Sequence, residues 1–269
     1  MDDQILYEVA DKVAVITLNR PEKANAQTME LLDDLDAAWE KAATDDEVRV
    51  IVLRGNGKHF SSGHDLSSGT ARPEKITLDW IYKIEARKYL EYSLRWRNVP
   101  KPSIAAVQGK CIAGALLLVW PCDLIVAAEN AQFSDPVVYL GIGGVEYHGH
   151  TWELGARKAK EILFTGRSVS AREAEQIGMV NKVVPLESLQ DETMALAQRV
   201  AGTMRTGRWA WCQYCDQRFE APHRKGPLPL YCRKWHRQAA YLRRHNIPNP
   251  ARPGEGTRRR LARAKEQTP

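Results

Sequence analysis

Short apolar runs and amphipathic segments alternate along the first three quarters of the chain. Ile5–Val9 and Val13–Leu18 are rich in β-branched residues and predict a hairpin. Thr28–Ala43 carries apolar residues at helical spacing, and Arg49–Leu53 is an apolar run typical of a buried strand. Strand, strand, helix and strand in this order favour a repeated ββα unit with right-handed crossovers, and therefore an α/β fold.

The same pattern continues with longer helices. It predicts a helix over Leu78–Arg97, strands over Ser103–Val107 and Leu124–Ala128, a short helix over Ala171–Ile177 and an amphipathic helix over Leu186–Met204. No apolar run reaches the roughly 18 residues that a transmembrane helix needs, so no membrane partner is expected. The acidic start of the chain lacks the apolar segment of a secretory signal, which favours a cytoplasmic protein.

The charges are distributed unevenly along the chain. The sequence has 39 Lys and Arg residues against 33 Asp and Glu residues, but 16 of the basic and only 4 of the acidic residues lie beyond Met204. We therefore predict a main domain at 1–204, a small module at 205–246, and a basic, disordered tail at 247–269 in which Pro, Gly and Arg dominate.

Two glycine-containing turns that follow apolar strands are the segments that most clearly indicate a chemical function. The first turn is Phe60–Leu66, with Gly63 near its centre, and the second is Gly109–Gly114. Two such turns that face each other can direct two backbone N–H groups at one oxygen. That arrangement is an oxyanion hole, which stabilises an enolate or a tetrahedral oxyanion.

Several segments, taken in order, resemble the crotonase (enoyl-CoA hydratase/isomerase) superfamily over roughly residues 5–200. They are Asn19–Ala26, Val50–Gly55 with the first turn, Lys101–Gly109 with the second turn, Phe164–Gly166, Ala171–Ala174 and Gly178–Val180. The resemblance implies a crotonase-type ββα superhelix (the ClpP/crotonase-like fold) that assembles as trimers or dimers of trimers. It also implies a coenzyme A thioester of fatty-acid metabolism as substrate. The family's usual C-terminal helices are not recognisable beyond residue 204.

The resemblance also implies roles for single residues. The oxyanion donors would be the backbone N–H groups of His64 and Gly114. The coenzyme A site would lie along the first segment and the first turn, with contacts from Arg20, Lys23, Ala24, Ser62, Asp65 and Leu66. Basic side chains there, Lys58 among them, would meet the phosphates, whereas Asp65 would brace the loop.

The acids and bases around the oxyanion hole decide the reaction, and here the chain departs from the family. The two glutamates of the family's hydratases align with Leu117 and Val137, and neither side chain can carry a proton. The segment that lines the acyl pocket in the family offers replacements. In order of preference, the candidate acid/base residues are Glu146, His148 and Asp135.

Three functions stay open at this point. The first is the usual reaction of the family, in which the protein would act as a lyase or isomerase that hydrates or isomerises an enoyl-CoA. The second is hydrolysis or C–C bond cleavage that uses Glu146 or His148. The third is a non-catalytic scaffold. Without a catalytic role, His148, His150 and Glu153 would form a solvated turn and Asp135 would cap a turn.

The C-terminal module carries four residues with the spacing of a zinc site, and zinc binds Cys and His tetrahedrally. They form two close pairs: Cys212 with Cys215, and Cys232 with His236. The module resembles a short zinc ribbon in which His236 replaces a fourth cysteine, and chance spacing is the alternative. The surrounding basic residues favour a nucleic acid or an acidic protein as partner. Cys111 and Cys122 have apolar neighbours and are expected in the core.

Overall fold

The computed structural model describes residues 3–66, 77, 81–203, 208–211 and 218–221. The chain divides into two compact units, Met1–Arg205 and Thr206–Pro269. The described strands of the first unit are β1 (Ile5–Ala10), β2 (Val13–Leu18), β3 (Val50–Gly55), β4 (Ser103–Val107), β5 (Lys110–Ile112), β6 (Leu124–Ala128), β7 (Gln132–Ser134), β8 (Val169–Ser170) and β9 (Lys182–Val184). In the second unit, β10 (Arg208–Trp211) and β11 (Arg218–Ala221) pair antiparallel.

All helices in the described part of the chain belong to the first unit. They are α1 (Met29–Thr44), α2 (Tyr92–Arg97), α3 (Leu116–Val119), α4 (His150–Leu154), α5 (Ala156–Thr165), α6 (Ala171–Gln176) and α7 (Leu189–Thr203). A π-helix, Ile81–Glu91, runs into α2, and 3-10 helices lie at Pro21–Lys23, Ala113–Ala115, Pro136–Leu140 and Leu186–Ser188. Among the described residues, no helix has the length and apolar character needed to cross a membrane.

Six strands form the central sheet in the order β1-β2-β3-β4-β6-β9. β1 and β2 are an antiparallel hairpin, and each following pair is parallel. Parallel neighbours need crossover connections, and α1 supplies the one between β2 and β3. The carboxyl ends of β3 and β4 therefore lie at the same edge of the sheet, where both glycine turns begin.

Both faces of the central sheet are buried, as expected for a parallel sheet. Alternate residues of β3 show this, because Val50 joins the apolar cluster that contains Leu189 of α7, while Ile51 joins the cluster that contains Trp39 of α1. Cys111 and Cys122 are buried in the second of these clusters, which confirms their predicted place in the core. Burial raises the pKa of both thiols.

Most of the predicted strands and helices are confirmed. β2, β4 and β6 have the predicted bounds. Helix α1 begins one residue later than predicted because Thr28 is its N-cap, and the Thr28 Oγ1 accepts a hydrogen bond from Leu31 N at 3.1 Å.

The predicted helix over 78–97 takes two forms in its described part. Residues 81–91 form a π-helix, and only Tyr92–Arg97 is α-helical. Side chains of α1 hold this segment, because Tyr92 Oη donates to Asp33 Oδ1 at 2.6 Å and Trp96 Nε1 donates to Asp36 Oδ1 at 3.0 Å. π-helical turns are rare and often occur at functional sites, which directs attention to the residues that this one carries.

A small sheet of β5, β7 and β8 is absent from the sequence prediction. β5 pairs parallel with β7, and β7 pairs antiparallel with β8. Strands of two or three residues are too short to produce a recognisable alternation of apolar and polar positions. This sheet matters for the site because β5 lies within the second glycine turn and ends at Ile112, two residues before Gly114.

Candidate active site

The first glycine turn is fixed by a buried asparagine from the N-terminal segment. Asn25 is fully buried, and its Nδ2 donates to the carbonyl oxygens of Asn56 at 2.9 Å, His59 at 2.9 Å and Phe60 at 3.0 Å. The Asn25 carbonyl accepts a further bond from Ser61 Oγ at 2.8 Å. One side chain and one carbonyl thus tie the segment Asn19–Ala26 to the entrance of the turn.

The second turn leaves β5 and enters a short 3-10 helix. Ser61 and Cys111 form an isolated parallel bridge between the two turns, and Ile112 N donates to Ser61 O at 3.2 Å. Ala113 then adopts a φ of 48°, a left-handed conformation that is uncommon for a residue with a Cβ. Gly114 is the second residue of the helix, where a backbone N–H has no acceptor within the helix.

Gly63 allows the two turns to approach closely. It has a φ of +86°, and a Cβ added there would lie 2.6 Å from Ile112 O and 3.2 Å from Gly114 N. A side chain at this position would therefore overlap the backbone of the second turn, and only glycine leaves room for the observed contact.

The His64 N–H takes no part in the hydrogen bonds that join the first turn to Gln27. Gln27 N donates to Gly63 O at 2.8 Å, and Asp65 N donates to Gln27 O at 2.9 Å. In such a parallel bridge, the N–H of the residue between the two bonded positions points away from the partner strand. The N–H groups of His64 and Gly114 thus remain as donors from two turns that touch.

A cavity of about 240 Å³ opens beside these two turns. Most of its described wall is apolar and includes Leu66, Ile112 and Val137. Among the described residues of the wall, the carboxyl groups come from Glu85 and Glu146. An apolar cavity with a small number of polar groups is the usual form of a small-molecule site.

The His64 side chain is unsuited to act as a cation. Its ring stacks on Tyr89, with 4.1 Å between the ring centroids and 14° between the planes. Burial lowers the pKa of His64 to about 4, and the charge of Asp135 opposes this only in part. The imidazole is therefore neutral near pH 7, and the same ring fills the space that a Cβ on Gly114 would take.

Of the two carboxyl groups in the described cavity wall, Glu146 has the surroundings better suited to proton transfer. Its Oε2 is buried and has no hydrogen-bond partner among the described residues. Burial raises the pKa of Glu146 to about 7, and the negative charges of Glu85 and Asp135 raise it as well. A carboxyl group with a pKa near the working pH can both give and take a proton.

Asp135 is buried behind the wall and does not line the described part of the cavity. Its Oδ2 accepts a bond from Val145 N at 3.1 Å and another from His150 Nε2 at 2.9 Å. Although Asp135 precedes the 3-10 helix Pro136–Leu140, its side chain makes no capping bond to that helix. Asp135 thus holds the backbone next to Glu146 in place.

The two histidines of this segment lie in different environments. His150 is fully buried, which excludes it from the solvated turn considered above, whereas His148 is exposed. Their rings are 4.6 Å apart, and partial burial together with His150 lowers the pKa of His148. His148 is not among the described residues that line the cavity.

The chain matches a known family over most of its length. Residues 8–218 fit the family model described as enoyl-CoA hydratase/isomerase. The chain belongs to the enoyl-CoA hydratase/isomerase family. It is 42% identical over 219 residues to the putative enoyl-CoA hydratase EchA13 of Mycobacterium tuberculosis, an alignment that covers 74% of this chain and 69% of that protein.

Solved structures of the enoyl-CoA hydratase/isomerase family have the same fold. A probable enoyl-CoA hydratase from Mycobacterium thermoresistibile is 67% identical, with a TM-score of 0.71 over 76% of this chain and 82% of that one. An enoyl-CoA hydratase/isomerase from Xanthobacter autotrophicus Py2 is 40% identical, with a TM-score of 0.71 over 76% and 75% of the two chains. The crotonase-type α/β fold is confirmed, and the protein is an acyl-CoA enzyme of this family. Its assembly as a trimer or hexamer stays a prediction.

The two positions predicted to align with the glutamates of the family's hydratases both have apolar surroundings in the structure. Leu117, on α3, is fully buried in the core. Val137 lines the cavity and also packs against the core. Neither side chain can carry a proton, so any proton transfer in the cavity must come from other residues.

The residues considered for coenzyme A divide into two groups. Arg20 and Asp65 are bound to each other, with 3.1 Å between Nη1 and Oδ2, and Arg20 also donates to Ala26 O at 2.5 Å. These two residues brace the first turn. Ser62 N donates to Ala24 O at 2.9 Å, and Ser62 lines the cavity, so this bond ties the N-terminal segment to the cavity wall.

The remaining coenzyme A candidates are exposed. Lys23 closes the 3-10 helix Pro21–Lys23, and Lys58 lies just before the first turn. Leu66 is 69% exposed and also lines the cavity, so an apolar side chain stands at its mouth.

Glu85 is a site residue that sequence reasoning missed. It lies on the π-helix, 61 residues before Glu146, and lines the same cavity. Burial raises the pKa of Glu85. No signal near Glu85 in the sequence points to the site, because the segment carries charged residues at many positions and only the fold brings this one to the cavity.

The four zinc candidates, Cys212, Cys215, Cys232 and His236, lie outside the described residues. Within the described part of the chain, no group of three or more His, Cys, Asp or Glu residues could hold a metal ion.

Proposed function

We propose that this enzyme holds the thioester carbonyl of an enoyl-CoA between the N–H groups of His64 and Gly114 and uses Glu146 to move a proton at the neighbouring carbon. The observation that carries the proposal is the buried Oε2 of Glu146, which has no hydrogen-bond partner among the described residues and belongs to a side chain in the wall of the cavity beside the two turns. Negative charge that develops on the thioester oxygen would be stabilised by the two N–H groups.

The contacts favour Glu146 over His148 and Asp135 as the acid/base residue. Glu146 faces the cavity, whereas His148 is exposed and Asp135 already binds His150 and the Val145 amide. A group must lie within hydrogen-bond reach of the reacting atom to transfer its proton. This choice argues against hydrolysis through His148 and against a scaffold without turnover. Between the reactions that Glu146 could serve, we propose hydration or isomerisation, because these are the family's usual chemistry.

The coenzyme A moiety would enter along the N-terminal segment and the first turn. Lys23 and Lys58 are exposed there and would meet its phosphates, whereas Ala24 and Ser62 present backbone at the cavity entrance. Leu66 would cover the start of the acyl chain.

Turnover of an acyl-CoA panel tests this function. The panel contains crotonyl-CoA, a 3-enoyl-CoA and a 3-ketoacyl-CoA, and the variants are Glu146→Gln, His148→Ala and Glu153→Gln. Glu153 is the matched control, because burial also raises its pKa although it does not line the described cavity. We expect Glu146→Gln to lower kcat by about 10²-fold or more and the other two to stay within a few-fold. Full activity of Glu146→Gln, or loss of activity in His148→Ala alone, would refute the assignment.

For the second unit, we propose a structural zinc ion bound by Cys212, Cys215, Cys232 and His236. The first pair of cysteines lies in the six residues between the paired strands β10 and β11, a position that suits a metal-binding turn. The expected result is one zinc per full-length chain by elemental analysis, with loss of the metal in Cys212→Ser. Zinc retained in that variant would refute the ligand set. The basic character of this unit supports an acidic partner such as a nucleic acid.

A further inference from the structure

Two carboxyl groups from different elements face the same cavity. Glu85 comes from the π-helix Ile81–Glu91, and Glu146 comes from the segment between the 3-10 helix Pro136–Leu140 and α4. Both line the cavity wall and both are partly buried. They lie near enough to each other that the charge of Glu85 helps to raise the pKa of Glu146.

The helix that carries Glu85 is fixed against both oxyanion turns. Tyr89, four residues after Glu85, stacks on His64 of the first turn. Ser93 Oγ donates to Tyr89 O at 2.6 Å and lies 2.9 Å from Leu117 O, on the helix that follows Gly114. Glu85 is therefore held in a set position relative to the two backbone donors.

A buried hydroxyl group on the helix that carries Glu85 lacks a hydrogen-bond partner among the described residues. Tyr89 is 1% exposed, and its Oη has no hydrogen-bond partner among the described residues. Burial first, and then the charges of Glu146 and Glu85, raise the pKa of Tyr89, which shows that the hydroxyl lies within electrostatic reach of both. Buried polar groups are seldom left without a partner, so this hydroxyl points to a bound water next to the helix that carries Glu85.

We propose that Glu85 is the second proton-transferring residue of the site and acts with Glu146 when the enzyme carries out the family's usual addition of water to a 2-enoyl-CoA. This inference rests on the proposed role of Glu146. Glu85 takes a proton from a water molecule whose oxygen bonds to C3. The C2–C3 π electrons move toward C1, and the C=O electron pair moves onto the thioester oxygen, which the N–H groups of His64 and Gly114 hold. Glu146 then donates its proton to C2, and the C=O bond re-forms.

The proton balance closes over one cycle. Water has been divided between C2 and C3 through the two carboxyls, which leaves Glu85 protonated and Glu146 ionised. A proton returns from Glu85 to Glu146 through solvent after the product leaves. The single carboxyl of Glu146 would suffice to remove and return a proton at C2, whereas the addition of water needs both groups.

Two reactions of the full-length enzyme separate these roles. Hydration of crotonyl-CoA needs both carboxyls, but exchange of the C2 protons of butyryl-CoA in D2O, followed by NMR, needs only Glu146. We expect Glu85→Gln to lower hydration by about 10²-fold or more and to leave exchange within a few-fold. Glu146→Gln loses both reactions. Glu91→Gln, an exposed position on the same helix, changes neither.

The outcomes that overturn the inference differ from those that overturn the proposed function. Hydration by Glu85→Gln at the wild-type rate, or equal loss of hydration and exchange in that variant, overturns the role of Glu85 alone. A wild-type enzyme that neither hydrates nor exchanges overturns the proposed function as well. Adding formate to Glu85→Ala distinguishes a missing base from a folding defect. A small carboxylate can replace the missing base and restore hydration, but it cannot repair a misfolded protein. No recovery of hydration with formate, in a variant that still exchanges, would also count against Glu85.

Discussion

Replacing Gly63 with alanine tests whether the close approach of the two turns is what the chemistry requires. Gly178 provides a matched control, because its φ of +83° is nearly that of Gly63 at +86°, yet a Cβ added at Gly178 meets nothing within 4 Å. Both substitutions place a side chain in the left-handed region, and only Gly63→Ala adds an overlap with the second turn.

The expected losses follow from these contacts. The left-handed backbone costs about 1–2 kcal/mol for alanine at either position. At Gly63 the new Cβ would lie 2.6 Å from Ile112 O, so the turns must separate by about 0.5 Å or more, which adds about 1–3 kcal/mol. Because Gly114 N is also only 3.2 Å from that Cβ, the donor geometry opens with it, and the loss of one donor typically lowers kcat by about 10²–10³-fold.

Urea denaturation and crotonyl-CoA hydration measure the two effects on the same samples. We expect both variants to lose stability, and Gly63→Ala alone to lose kcat by about 10²-fold or more while still binding coenzyme A. Equal activity of Gly63→Ala and Gly178→Ala would refute the reasoning, since the overlap would then have no effect on the oxyanion donors.

Three further predictions concern stability. Because burial raises the pKa of Glu146 to about 7 from 4.5, the native state keeps this proton at pH values where the unfolded chain has lost it, so wild-type stability falls as pH rises from 4.5 to 7. Glu146→Gln lacks this titration, so its stability relative to wild type should rise by about 1–3 kcal/mol over the same range. Urea titrations at pH 4.5 and pH 7 that show no such rise would contradict the burial. Asn25→Ala should cost about 2–4 kcal/mol in the same assay because it leaves three carbonyl groups at the entrance of the first turn without their donor, and a cost under about 1 kcal/mol would show that water replaces the amide. Arg167 lowers the pKa of Glu173 to about 2 through their hydrogen bond, so this contribution is present above pH 4.5 and is lost as pH falls through about 2; solvent screening limits the cost of Glu173→Gln at pH 7 to about 1 kcal/mol or less, and a larger loss in thermal unfolding would contradict that limit.

The central sheet could be predicted from the sequence because each strand is an apolar run bounded by polar residues. β2, β4 and β6 are examples, and Thr28 marks the start of α1 by its capping hydroxyl. The close approach of the two glycine turns could be predicted for a related reason. A close backbone approach requires glycine, and Gly63 is visible in the sequence as such a residue.

The acid/base arrangement could be predicted only in part, because it depends on contacts between distant segments. Glu146 could be proposed from the sequence because its segment resembles the one that lines the acyl pocket in the family. Asp135 was a candidate acid/base residue or a turn cap, yet its carboxylate binds Val145 and His150, ten and fifteen residues further on. Glu85 lies on a helix whose π form has no sequence signal, so its place in the cavity follows only from the fold.

The wall of the cavity, as far as the structure describes it, contains neither lysine nor arginine, and the one imidazole in it is held neutral. In the proposed reaction, backbone dipoles, which counter-ions cannot displace, would therefore carry the stabilisation of the enolate. Dissolved salt screens exposed charges far more than buried ones. The enzyme thus separates its two electrostatic tasks: added salt should weaken the capture of the phosphate-bearing end of the substrate at the surface, and so raise KM, while kcat stays nearly constant across the same range of ionic strength.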